Sequence, residues 1–529
     1  LKTNTENIHF CRLLMEAAPF ASRFCRGPAV SISTSASAPA SSSFFQKSRQ
    51  IEVDRLACAA ALVTVRRALT WRFPRRHSHR IRGHRAGVTA CRATTEVQGD
   101  FISCLSMAPT WEDAVEEVAQ EVGPGFEAAF VFFSELYVDQ AQGIAPMMEK
   151  LRERLDVEHL VGGAAGGSIG RSVGKMATDY AAGEEVPIEV ERGFVLSVAA
   201  IRNAGAVPFF LSGDAGGDLE LINRMAAGGT VRSMLLLADP FGPVEKILES
   251  LDESFPKVSK AGGITAALRV GSGGQTGFMA SMSICSRGNN QARLLSQGIC
   301  GIMMTEMDVH TVVCQGCLGV GPAVRVTGVS GPVVTGIGGR PSKEALGLIY
   351  GAVNEELRAK MQTSLLIGLG GEGVNENSID DGDWLIRGIM EVTPNGGFVL
   401  GNGISEGQAL RFHVRDKESA EGDLKLMLNR YRLERSFSGG NEPVGCLLFT
   451  CNGRGENLYG RKHVDATALQ GALPGDLGSR VAGFFCNGEI GAPGLTKPSD
   501  DLAEREQVRP MSLHGFTAVF AILVPATKE

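Results

Sequence analysis

Cys446-Leu447-Leu448-Phe449-Thr450-Cys451-Asn452-Gly453-Arg454-Gly455 and Val481-Ala482-Gly483-Phe484-Phe485-Cys486-Asn487-Gly488-Glu489-Ile490-Gly491 are two apolar runs, each leading into a polar, glycine-containing loop of nearly the same composition. Each run has the length of a buried strand, and glycine marks where it ends. Residues 465–473 between them carry a weak helical pattern, so the pair reads as strand, crossover helix, strand. Two such strands lie parallel in one sheet with a right-handed connection, which brings both exit loops to the same edge. Ligands of such sheets bind outside the carboxyl ends of the strands. The loops 451–455 and 486–491 are therefore expected to form two walls of one site.

The same order occurs twice earlier in the chain. Ala128-Ala129-Phe130-Val131-Phe132-Phe133 is a strand, 147–155 a helix, Leu160-Val161 a strand running into Gly162-Gly163, and 193–201 a further strand. Met234-Leu235-Leu236-Leu237, a helix over 244–255, Ala261-Gly262-Gly263-Ile264 and a strand over 277–284 repeat it. The third copy closes with a strand over 516–524. Three copies of one supersecondary unit explain this better than coincidence, although the copies share little identity.

Between the second and third copies lies a strand-rich stretch. Residues 309–313 lead into Cys314-Gln315-Gly316-Cys317, and 323–327 alternate with the period of a half-buried strand. Ser342 is expected to cap a long helix running to Leu357. Trp384-Leu385-Ile386 and Phe398-Val399-Leu400 form a hairpin signal across the turn Pro394-Asn395-Gly396-Gly397. The strand 409–414 ends at Arg415-Asp416, read as a strand end and a cap for the helix 418–431. The fold class is α+β: mixed β-sheets packed with helices, built on repeated β-α-β-β units.

A chain of 529 residues exceeds one core and is expected to form more than one domain. With 43% hydrophobic and 21% charged residues it is globular rather than disordered. The twelve cysteines lack framework spacing, so most are expected to be reduced. Residues 1–92 hold 16 Lys and Arg against 4 Asp and Glu, whereas the rest holds 36 against 54. The first segment is rich in Arg, Ser and Ala, and Val88-Thr89-Ala90-Cys91 before Arg92 resembles a chloroplast processing site, so 1–92 reads as a transit peptide with a plastid destination. A mitochondrial address has the same composition, and a retained basic arm for nucleic acid is a third reading. Beyond it no nucleic-acid partner is expected, and the eleven-residue apolar run 516–526 is too short to span a membrane. No glycine loop has nucleotide-binding spacing in a strand-to-helix setting, so no cofactor is expected.

The order Gln315-Gly316-Cys317 with Gly321-Pro322, Gly339-Arg340-Pro341, Asp383-Trp384-Leu385-Ile386-Arg387, Phe412-His413-Val414-Arg415-Asp416, Cys451-Asn452-Gly453-Arg454-Gly455, Gly488-Glu489-Ile490-Gly491 and Leu513-His514-Gly515-Phe516-Thr517-Ala518 resembles the FIST proteins. The resemblance divides the chain into a leader (1–92), a FIST N-terminal domain (101–335) and a FIST C-terminal domain (340–525). Leu160-Val161-Gly162-Gly163-Ala164 stands where the family often has a Gly-Cys-Ser sequence. What the resemblance implies is a sensory, signal-transducing module that binds a small polar metabolite, with amino acids among the proposed ligands. No output domain is recognisable, so a signal would pass through a protein partner or self-association.

The expected ligand-binding residues are Gln315, Cys317, Cys451, Asn452, Arg454, Gly455, Cys486, Asn487, Glu489 and His514. Arg454 and Glu489 have two readings: an ion pair across the two loops, or separate contacts, Arg454 to a ligand carboxylate and Glu489 to an ammonium group. Cys314 and Cys317 form a CxxC four residues after His310, which suits a turn better than a metal or redox site, and no metal is expected. The alternative to a binding protein is a thiol-dependent enzyme using Cys317, Cys451 or Cys486, with His514 as base. His514 has a plainer reading as a satisfied histidine beside the last strand.

Overall fold

The computed structural model describes residues 100–174, 186–213, 218–270, 277–370, 384–400, 404–473, 479–497, 505–506 and 508–527. The expected leader, and Asp383, lie outside the described residues. All of the described residues belong to one compact unit.

The repeat is real, and it is larger than its sequence signal. The first copy has strands Phe101–Ser106, Ala128–Phe133, His159–Ala164 and Leu196–Ile201. The second has Ala206–Ser212, Ser233–Ala238, Ser259–Ile264 and Gly298–Met304; the third has Met307–Cys314, Gly445–Cys451, Val481–Cys486 and Ala518–Pro525. In every copy the four strands lie in the spatial order first, fourth, second, third. The second and third are parallel over six residue pairs, and the fourth is antiparallel to both the first and the second. A helix follows each of the first two strands. Trp111–Val122 shows why these form: Thr110 accepts from the Asp113 N–H as N-cap, and Ala114, Val115, Val118 and Val122 are buried on one face.

Several local expectations change. Residues 277–284 do not supply the second copy's last strand: Gly277–Met279 and Met282–Ser286 belong to two hairpins, and Gly298–Met304 closes the sheet. The 465–473 helix is two short turns, Val464–Thr467 and Ala468–Gly471. Ser342 is the first helical residue rather than the cap, and its hydroxyl donates to the Val334 carbonyl at 2.8 Å. The turn at 394–397 joins Glu391–Val392 to Phe398–Val399, while Leu385–Gly388 pairs with Leu365–Leu369.

After its third strand each copy gives a hairpin to another copy. Ser168–Arg171 with Pro187–Val190, from the first, extends the third copy's sheet, Ile169 opposite Gly483. Glu489–Gly491 with Ser512–His514, from the third, extends the second, Glu489 opposite Gly263. Met282–Ser286 with Asn289–Leu295, from the second, extends the first, Met282 opposite Gly163. The exchange closes on itself after three steps. Each hairpin covers a strand edge that would otherwise expose unpaired N–H and C=O groups.

The inner faces of the three sheets meet in one apolar cluster that includes Phe132, Leu237, Phe449, Phe484 and Val519. Phe132 of the first copy stacks on Phe484 of the third, with ring centroids 4.8 Å apart. The outer faces are covered by helices: Trp111–Val122 and Ile144–Leu155, then Leu219–Gly228 and Val244–Ser254, then Lys417–Ser438 with the short turns. Strands buried on both faces explain the unbroken apolar runs in the sequence. The third copy alone carries an insertion, residues 317–415, an eight-stranded sheet with helices Ser342–Ala352 and Glu355–Ser364. Cys317–Ser330 leaves and Ala409–Arg415 returns as paired strands, with Cys317 opposite Arg415.

At the centre the copies press closely. A Cβ on Gly263 would stand 2.3 Å from Cys486 Sγ and 3.2 Å from Phe484 Cζ. Gly263→Ala is therefore expected to destabilise the chain by about 1–3 kcal/mol through overpacking. Adding Cys486→Ala should return part of that loss, read as urea midpoints of the single and double variants. A loss from Gly263→Ala that the second change leaves untouched would show that the two copies do not meet there.

Candidate functional site

Cys451 and Cys486 form the last rung of the parallel strand pair, so the loops 451–455 and 486–491 leave the sheet together. The Asn452 amide donates to Asn487 Oδ1 at 2.8 Å, and the Asn452 N–H to the Cys486 carbonyl at 2.9 Å. The Asn487 amide donates to the Thr265 carbonyl of the second copy at 3.0 Å. Gly166 of the first copy sits so close that a Cβ would lie 2.3 Å from Asn452 Oδ1. Gly455 turns the chain with φ +65°, and a Cβ there would stand 2.4 Å from Glu191 Oε1. All three copies thus contribute to one rim.

Arg454 and Glu489 do not form the ion pair that their loops allow. Arg454 is fully buried; its Nε donates to Asp465 Oδ2 at 2.8 Å and its Nη2 to Oδ1 at 3.0 Å. Thr450 and Tyr459 hydroxyls also donate to Asp465, at 2.7 and 2.8 Å. Burial alone would raise Asp465, but the Arg454 guanidinium and these bonds hold its carboxyl below the ordinary value. Arg454 is therefore a pin that fixes its own loop, and its bidentate face is already taken. Glu489 is equally buried. Its Oε2 accepts from the Thr517 hydroxyl at 2.7 Å and from the Thr517 N–H at 3.2 Å, whereas Oε1 has no partner. Burial pushes this carboxyl up to about 8, despite the Thr517 bonds.

Beside these loops, among the described residues, Arg415 is a cation whose Nη2 has no partner. Its guanidinium lies over the Phe516 ring, 5.5 Å from the centroid, and a Cβ on Gly453 would stand 2.9 Å from Nη2. Nη2 is buried without a hydrogen-bond partner, and the side chain makes no ion pair among the described residues. Burial lowers its pKa, opposed by the nearby thiols of Cys451 and Cys317. The adjacent Asp416 does not neutralise it. As expected, Asp416 caps the following helix, accepting from the Ser419 N–H at 2.9 Å, and it also takes the Lys360 ammonium at 2.5 Å. Sequence reasoning made Arg415 a strand end and missed this role; its place between a buried strand and a committed cap was the available signal.

The remaining expected residues divide. Cys317 and Cys451 are partly exposed beside Arg415, and burial pushes each thiol up to about 12, with Glu489 adding to the shift at Cys451. Cys486 is fully buried and raised further. His514 lies opposite Glu489, its Nε2–H donating to the Gly491 carbonyl at 3.0 Å, and burial lowers it to about 4. A neutral histidine already bonded to the backbone does not activate a neighbouring thiol. Gln315 faces the insertion, donating to the Trp384 carbonyl at 2.8 Å. Cys314 packs with Ala420 and Phe520 while Cys317 packs with Trp384 and Phe516, so the CxxC faces two clusters. Among the described residues no group of three His, Cys, Asp or Glu side chains is arranged to hold a metal.

A triplicated α+β core whose rim of polar loops leaves Arg415 Nη2 and Glu489 Oε1 without partners defines a ligand-binding class of protein. The family models agree with the motif reading: the FIST N domain matches residues 127–340 and the FIST C domain residues 343–492. An uncharacterised protein of Mycobacterium tuberculosis is 32% identical over 294 residues, covering 55% of this chain and 67% of that relative. One of Mycobacterium bovis is 31% identical over 313 residues, 58% of this chain and 72% of the relative. The chain belongs to the FIST family.

Two outcomes follow from the electrostatics. Arg454→Ala strands a buried Asp465 charge and is expected to cost about 3–5 kcal/mol in denaturant unfolding; a loss below about 1 kcal/mol would place Arg454 among exposed ligand contacts instead. Glu489 keeps its proton in the folded chain up to about 8, against 4.5 when unconstrained. The folded state thus binds more protons across that window, and stability falls as pH rises through it. Glu489→Gln should flatten the fall, measured as the difference between urea midpoints at about pH 5 and about pH 8.

Proposed function

We propose that this chain is a sensory module that holds a small, amino-acid-like metabolite at the rim between its insertion and the loops 451–455, 486–491 and 513–517. FIST domains serve signal transduction as sensory, ligand-binding domains, and membership in that family supplies the general role. The observation that carries the specific reading is Arg415: a cation packed on an aromatic ring, with no acid of its own. Guanidinium takes carboxylate bidentately, and the half-buried setting strengthens that contact relative to water. Glu489 borders the same two segments, 451–453 and 516–517, and an ammonium group would replace the proton it carries. One ligand with both groups would satisfy both orphaned side chains.

The site's position suggests how binding becomes a signal. Arg415 belongs to the neck of the insertion, whereas Phe516 and Cys451 belong to the triplicated core. A ligand bridging them would favour one relative placement of the two parts, shifting a pre-existing equilibrium by its differential affinity.

A thermal-shift panel of amino acids, with the matching amines and carboxylic acids, tests this. A zwitterionic amino acid should raise the apparent stability most, since ligand binding to the native state stabilises it. Arg415→Ala should weaken binding by about 10–100-fold, as loss of a charge-assisted bond worth about 1.5–3 kcal/mol requires. A shift that survives Arg415→Ala unchanged would remove Arg415 from the site.

A further inference from the structure

The 22-residue helix Lys417–Ser438 has two apolar faces, and only one is used. Ala420, Leu424, Leu428 and Tyr431 are buried against the third sheet. On the opposite side Leu426, Leu433 and Phe437 are exposed by 66%, 53% and 88%. Residues seven and eleven positions apart fall within about 40° of each other around a helix, so the three form one stripe. Three large apolar side chains exposed along one stripe mark an interaction site rather than scattered surface leucines.

Charge selects the occupant. Lys425 and Arg432 lie seven residues apart along one side of the stripe, both exposed, and the ion pairs of this helix among the described residues use other side chains. The acids of the same helical stretch are engaged elsewhere: Glu434 pairs with Arg430 at 2.8 Å, and Asp423 accepts from the Gln315 N–H. This basic edge stands in a chain whose residues after 92 carry 36 Lys and Arg against 54 Asp and Glu. A second copy of the helix packed antiparallel on the stripe would set Lys425 and Arg432 against their own duplicates, which repel. We propose that the face docks an amphipathic helix of a partner protein, its leucine-type side chains on the stripe and its Asp or Glu residues against Lys425 and Arg432. Helix-on-helix recognition uses apolar anchors for affinity and flanking charges for partner choice.

The test uses the full chain and a fluorescein-labelled synthetic helix of about 18 residues, with Leu at helical spacing and Glu at the flanking positions. A second helix carries Lys in place of every Glu. Fluorescence anisotropy should show the acidic helix binding at least about tenfold tighter, with the preference shrinking at high salt. Leu433→Asp and Lys425→Glu are surface changes whose folding is checked by circular dichroism; each should weaken the acidic helix by about tenfold. Equal binding of the two helices, or no binding by either, would overturn the proposal. A dimer in sedimentation that Leu433→Asp converts to monomer would assign the face to a second copy instead.

Discussion

The structure depends on an edge that no copy can close by itself. Each third strand ends a parallel pair with its outer edge unpaired, and another copy's returning segment supplies the missing partner. One bond in each copy records this: Ala164 N–H to the Ser281 carbonyl, Ile264 N–H to Gly488, and Phe485 N–H to Gly167, at 2.9, 2.8 and 2.9 Å. Closing the ring brings backbone so near that Gly163 and Gly263 have no room for a Cβ. The same approach places Asn487 on Thr265 and Gly166 on Asn452, so the rim is a by-product of edge closure. It also makes folding non-local. Ile169 must find Gly483, a pairing with a high loop-closure cost that forms slowly.

What the sequence made legible follows from the range of each interaction. The parallel strand pairs were readable because period and turn chemistry are local, and the side-by-side placement of Asn452 and Asn487 followed from connection geometry alone. The hairpin exchange left no local mark. Its strands look like any short apolar run, which is why 277–284 passed for the closing strand while Gly298–Met304, far beyond the loop, went unseen. Arg454 was misread for a similar reason. Its partner Asp465 sits in a short turn that resembled ordinary helix, and sequence alone does not reveal that the pair is buried.

The rim contains two opposite solutions to buried charge. Arg454 and Asp465 are fully desolvated, and such a pair persists only when its other hydrogen-bonding sites are filled, here by Thr450 and Tyr459. That closed network makes the 451–455 loop rigid, so a ligand would meet it with little ordering left to do. Arg415 and Glu489 are left open. Asp416 is committed to Lys360 and Ser419, and Glu489 answers its isolation by holding a proton. Groups left unsatisfied in an otherwise well-bonded region are the usual mark of something still to be bound.

Symmetry explains why only one of three equivalent rims has this chemistry. The residues following the last parallel rung are Ser134, Asp239 and Asn452 in the three copies. Ser134 is buried, and Asp239 turns back to accept from the Phe241 N–H at 2.7 Å, so neither presents a side chain outward. Asn452 is exposed, and beside it the third copy admits residues 317–415 through the paired strands that set Cys317 against Arg415. The guanidinium over Phe516 therefore comes from the one segment the other copies lack. An insertion that both breaks the repeat and donates Arg415 gives this rim a cation that the corresponding rims of the other two copies lack.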